Sequence, residues 1–142
     1  MSSQGKHSGD EVTSTKGALV RSSDQSQLDF EIEFYAAILK RFPDYVDVLR
    51  VQGNNLTLKG RFAESLHIDK LLVQLRPHDP LAHYNLACSF CLLKKTDLAL
   101  KTLRSAIELG YRDFRYMKED RDLDPIRNDP RFKQLLREFE NK

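Results

Sequence analysis

Residues 80–111 read PLAHYNLACSFCLLKKTDLALKTLRSAIELGY. Apolar residues recur at helical spacing over 80–94 and again over 96–109, where Gly110 ends the run. Small residues fall among the large ones, at Ala87 in the first helix and at Ala99 and Ala106 in the second. Two antiparallel helices that pack closely need small side chains where they cross, and large apolar residues fill the positions around the crossing. The stretch therefore predicts a helix pair.

The same pattern stands 34 residues upstream. Pro43 and Pro77 are 34 apart, as are Leu49 and His83, Gly53 and Ala87, Leu56 and Phe90, Ser65 and Ala99, and Leu72 and Ala106. Helices are predicted over 45–58, with Val48, Leu49, Leu56 and Leu58, and over 61–75, with Phe62, Leu66, Leu71, Leu72 and Leu75. A further helix precedes them, where Leu28, Ile32, Tyr35, Ile38, Leu39 and Phe42 fall in period before Pro43. No alternating strand pattern competes with these periods.

A 34-residue helix-turn-helix period is that of the tetratricopeptide repeat (TPR). Leu49, Gly53, Leu56, Gly60, Ser65 and Pro77 resemble one such unit over 46–79. Tyr84-Asn85-Leu86-Ala87 with Phe90, Ala99, Leu103 and Ala106 resembles a second over 80–113. The helix over 27–45 is similar to the second half of a preceding unit. The chain departs from the family at Leu49 and His83, which replace a Trp, at Asp69, where an aromatic is usual, and at Tyr111, which replaces the terminal Pro. The resemblance implies an all-α fold, a right-handed α-solenoid of antiparallel helix pairs.

Past residue 113 the frame would place Arg121 where Gly53 and Ala87 stand, and a guanidinium does not fit a tight crossing. A third unit is therefore not expected, and 114–142 is read as a C-terminal cap. Its last helix is expected near Pro130, because Asp before Pro is an N-cap with Pro at the first helical position. Ala106 to Leu136 resembles a trailing block that follows TPR arrays in many bacterial proteins, where it covers the open apolar end of the stack. At the other end, residues 1–26 are rich in Ser, Gln, Gly and Thr, with Ala18-Leu19-Val20 as their only apolar cluster. They are read as a disordered tail, which cannot bury enough surface to offset its ordering entropy.

Composition narrows the function. Lys+Arg number 23 and Asp+Glu 21 in 142 residues, a net charge of only +2. The signs are interspersed: 27–110 carries eleven positive and ten negative residues, and 111–142 nine and eight. Neither nucleic acid nor an anionic membrane surface is an expected partner. No apolar run reaches the length of a membrane span. The two cysteines are no disulfide framework, which favours a reducing compartment and, by elimination, the cytoplasm.

Candidate chemistry is sparse. Cys88-Ser-Phe-Cys91 has CxxC spacing but lies in mid-helix, and no second ligand pair accompanies it, so it reads as two small packing residues. Asp120, Asp122 and Asp124 alternate like the start of a calcium loop, but Pro125 and Arg131 stand where such a loop needs Gly and Glu, so they read as a capping turn. Neither catalysis nor a metal or cofactor is expected.

The resemblance does imply a groove lined by the first helix of each unit. Its candidate residues are Asp47, Arg50, Asn54 and Thr57, then Leu81, Tyr84, Asn85, Cys88 and Cys91, with Arg115 in frame beyond. Some TPR co-chaperones clamp a partner's C-terminal carboxylate. Arg50 and Asn54 resemble the first-unit pair of that clamp, Asn85 the second-unit Asn and Arg115 the third-unit Lys, but Glu119 stands where the last cation belongs and would repel a carboxylate. A generic groove for a protein or peptide segment is therefore the expectation, in a scaffold, adaptor or chaperone-like module. The alternatives are self-association through the N-terminal helix, where Phe30 and Phe34 lack a partner helix, and a regulatory role beside a larger enzyme or signalling system.

Overall fold

A computed structural model describes residues 22–142. They form seven α-helices and one 3-10 helix, with no strand among the described residues: α1 Ser22–Arg41, α2 Val46–Lys59, α3 Phe62–Leu75, α4 Pro80–Leu92, α5 Thr96–Glu108, α6 Phe114–Glu119, a 3-10 helix Arg121–Ile126, and α7 Pro130–Glu140. The expected all-α class holds, and the long helices lie within about two residues of their predicted bounds. α1 begins at Ser22, inside the stretch read as a tail; the remainder of that reading lies outside the described residues. No described helix is long and apolar enough to cross a membrane.

The helix ends repeat in detail. α2 closes on Gly60 at φ 84°, whose N–H reaches the Thr57 carbonyl at 3.0 Å while the Arg61 N–H reaches Leu56 at 2.8 Å. α4 ends the same way 34 residues on: Lys94 N–H reaches Cys91 at 3.0 Å and Lys95 N–H reaches Phe90 at 2.9 Å. Lys94 adopts φ 62°, the one non-glycine among the described residues in the left-handed region. That conformation costs an L-residue about 1–2 kcal/mol, partly offset by the lower unfolded-state entropy of a non-glycine. Lys94→Gly is therefore expected to stabilise the protein by roughly 0.5–1 kcal/mol, read as a raised urea midpoint. A lowered midpoint would mean that the lysine side chain holds the turn.

The frame also runs further than the sequence reading allowed. α2, α4 and α6 start at 46, 80 and 114, and α3, α5 and α7 at 62, 96 and 130. A third 34-residue frame thus continues to the last residues, with its first helix broken rather than absent. The break falls at Asp120, whose backbone is extended (φ −68°, ψ 118°), and it leaves Arg121 in solvent instead of in a crossing. Two devices make the break tolerable. Asp120 caps the 3-10 helix by accepting from the Asp122 N–H at 3.0 Å. Arg127 folds back and donates to the carbonyls of Met117, Lys118 and Asp120, satisfying backbone groups that the shortened α6 leaves open. Asp79, Asp113 and Asp129 cap α4, α6 and α7, and the expected Asp129-Pro130 start is in place.

Each helix from α1 to α5 packs on its neighbour in sequence, and α4 and α5 also meet the C-terminal block. The largest core cluster joins Ala87, Cys91, Ala99, Leu103, Ala106 and Ile107 to Met117, Leu123, Ile126, Phe132 and Leu136. α4 is buried on most sides because α3, α5 and the 3-10 helix surround it. The α2–α3 crossing is as small as the sequence implied: Ser65 Oγ donates to the Gly53 carbonyl at 3.0 Å, and the Thr57 and Ser65 hydroxyls are 2.6 Å apart. Asp69 is buried and accepts from Ser89 Oγ at 2.5 Å, so the position that lacks its aromatic carries a polar tie between α3 and α4 instead. Ion pairs link α5 to α7 at residues 34 apart, Asp97 with Arg131 at 2.7 Å and Arg104 with Glu138 at 2.9 Å. Both pairs are exposed and screened, so they mark alignment more than stability.

Candidate functional site

The candidate residues divide into two groups by burial. Arg50, on α2, donates to Asp79 at 2.7 Å, and Asp79 caps α4 by accepting from the Leu81 N–H at 3.0 Å. Burial works against ionising Asp79, but the Arg50 guanidinium and the Leu81 and Ala82 N–H groups outweigh it and hold its carboxyl below the usual range. Arg50 is thus already matched to a carboxylate. Beside it, Asp47, Asn54 and Leu81 are exposed, Asn85 is half-buried, and Arg115 is exposed at the start of α6. Asp47, Asn54, Asn85 and Arg115 make no side-chain hydrogen bond or ion pair among the described residues, which leaves their polar groups to solvent or a partner.

Thr57, Tyr84, Cys88 and Cys91 are buried and do not present a groove surface. Thr57 bonds to the Gly53 carbonyl at 3.0 Å and faces Ser65. The other three lie under the C-terminal block. Tyr84 donates its hydroxyl to Asp120 Oδ2 at 2.6 Å, and the Cys88 Sγ lies 3.8 Å from the same oxygen. Tyr111 stacks on Tyr84 with centroids 4.2 Å apart and planes within 2°, and Tyr116 tilts against it at 6.3 Å. The helical wheel assigned these residues to the right side of α4, but it could not show that the broken third frame folds onto that side.

The buried cluster is not an activated one. Burial, then the neighbouring Cys88 and Asp120, pushes the Tyr84 phenol far above its usual range. Burial likewise raises Tyr116 to about 12 and the Cys91 thiol to about 11. A protonated thiol in an apolar setting is a packing group rather than a nucleophile. Cys88, Asp120 and Asp122 bring a thiol and two carboxylates within 4.8 Å of one another. Asp120 is already engaged by Tyr84 and by the Asp122 N–H, so the cluster serves as the joint that fastens the 3-10 helix to α4.

The sequence reading missed the aromatic surface beside the free polar groups. Tyr116 is 41% exposed and Leu81 47%, and Tyr111 is partly open. Tyr111 could have been suspected, since it replaces a turn proline; Tyr116 carries no sequence signal.

No protein-family model matches the chain. Among curated proteins it is similar to a chloroplastic protein of Arabidopsis thaliana, 28% identical over 92 residues, 63% of this chain. The chain spans 28% of the length of that relative.

Proposed function

We propose that the chain is a TPR-type α-solenoid of three in-frame helix pairs preceded by a half unit, and that it acts as a protein-interaction module. The frame is supported by helix starts and turn hydrogen bonds that recur every 34 residues. One observation carries the binding role. Asp47 and Asn54 on α2, Asn85 on α4 and Arg115 on α6 stand at in-frame positions with no internal partner among the described residues, beside the exposed Leu81 and Tyr116. Side chains that contribute nothing to their own fold, held on packed helices, form a preorganised polar surface with an apolar centre, which suits a peptide or protein segment. A carboxylate clamp is disfavoured, because Arg50 is spent on Asp79. Catalysis is disfavoured by the protonated state of the buried Cys91.

Affinity capture from native lysate tests this reading. A partner retained by the wild-type chain is expected to fall about tenfold or more with Asn54→Glu/Asn85→Glu/Arg115→Glu, at an unchanged melting temperature. Equal retention by the triple variant would move the site to another face. A second reading, self-association, is favoured by Phe30 and Phe34, 63% and 52% exposed and stacked at 6.2 Å on the open side of α1. Sedimentation at several concentrations separates the two: dimerisation abolished by Phe30→Ser/Phe34→Ser would support it, and a monomer throughout would remove it.

A further inference from the structure

A cleft of about 510 Å³ opens between α1 and α3, floored by α2. Its walls are apolar, from Ile32, Ala36, Leu39, Leu56 and Ile68. Gln52 also lines it, and only 4% of that residue is exposed. Its Nε2 donates to the Ile32 carbonyl at 2.9 Å, which fixes the orientation of the amide, because a flip would set two acceptors against each other. Its Oε1 is left with no hydrogen-bond partner. A buried acceptor without a donor is costly, and few native structures leave one. The rim is positive in effect. Arg61 is held by Glu64 through two bonds of 2.6 and 2.7 Å, whereas Lys40 and His67 make no hydrogen bond or ion pair among the described residues.

We propose that this cleft receives the indole of a tryptophan from an acidic segment of a partner chain. The match is chemical. An indole is a flat apolar body with one donor and no acceptor, so it can satisfy Gln52 Oε1 and bring no unmatched polar atom of its own. A tyrosine hydroxyl would add unmatched lone pairs, and phenylalanine would leave Oε1 unpaired. This chain contains no tryptophan, so a second copy cannot supply the group. Acidic residues flanking the indole complement Lys40. The cleft uses α1 and α3 residues outside the surface proposed above, so either reading can fail without the other.

The missing tryptophan also makes the test clean, since indole emission excited at 295 nm reports only the ligand. The full chain is titrated with acetyl-Glu-Trp-Leu-Glu-amide, with the same peptide carrying Phe for Trp (followed by protein NMR shifts), and with 3-indolepropionate. The expected result is a saturable blue shift with the Trp peptide, at least about tenfold tighter than the Phe peptide. Gln52→Leu should bring the two peptides to near equality. Ala36→Leu, at an exposed position on the cleft wall, should weaken the Trp peptide about tenfold while the melting temperature stays put. Lys40→Glu should weaken it several-fold and reduce its salt dependence. Any of three results would overturn the proposal: no saturation by 1 mM peptide with folded protein, no preference for Trp over Phe, or binding unchanged in Ala36→Leu. Tight binding of 3-indolepropionate without binding of the peptide would also overturn it, in favour of a small-molecule site.

Discussion

Gly53→Leu is expected to destabilise the protein by about 2–3 kcal/mol, or to prevent folding outright. Gly53 lies where α2 crosses α3, and a Cβ there would stand 3.2 Å from Ile68 Cγ2 and 3.3 Å from Asp69 Oδ1. A single methyl needs Ile68 to shift by a few tenths of an ångström. An isobutyl group has no such remedy. It must prise the helices apart, and that strains the bond from Ser65 to the Gly53 carbonyl and displaces the Asp69 carboxylate that receives Ser89. Helix propensity pulls the other way, favouring Leu over Gly by about 1 kcal/mol, but this is smaller than the overpacking cost. Gly53→Ala, which takes a similar propensity gain against a milder clash, should stay within about 1 kcal/mol of wild type. Urea unfolding of both variants checks the ordering. A Leu variant as stable as wild type would mean that the crossing is not where the structure places it.

Asp120→Ala should cost about 2–4 kcal/mol, from two sources. The 3-10 helix loses its cap, worth about 1 kcal/mol, and the buried Tyr84 hydroxyl loses its acceptor, worth about 1–3 kcal/mol. The second part can be isolated. In Tyr84→Phe the hydroxyl is gone, so a subsequent Asp120→Ala should cost only the cap, and the double-mutant cycle should show a coupling of about 1–2 kcal/mol. Strict additivity would contradict the Tyr84–Asp120 bond. The stacked Tyr84–Tyr111 pair gives a second readout, since near-ultraviolet dichroism should fall if the C-terminal block leaves α4.

Much of this architecture is legible in the sequence, because helix periodicity and the 34-residue recurrence are local properties of the chain. Gly53, Ser65, Ala87 and Ala99 mark their crossings by size alone. The Arg121 mismatch correctly signals trouble in the third frame, but it does not say what form the trouble takes. The frame survives because Asp113 and Asp129 cap helices in register with α4 and α5, and the break is absorbed by Asp120 and Arg127. The candidate surface is less legible. Tyr84, Cys88 and Cys91 lie at the right positions on α4, yet Asp120 reaches Tyr84 across 36 residues, and no pattern in either segment announces that contact. Gln52 is similar: its burial depends on α1 closing over α2, a tertiary event that a helical wheel of α2 alone cannot contain.

The interaction role can be tested directly by placing a photo-crosslinking phenylalanine analogue at single positions of the full chain and irradiating it in native lysate. Positions 54, 85 and 115 sample the unpartnered polar surface, and position 98, exposed on α5, samples another. The account predicts one common partner band from 54, 85 and 115 and none from 98. A band from 98 alone, or no protein crosslinked from any of the three, would contradict it.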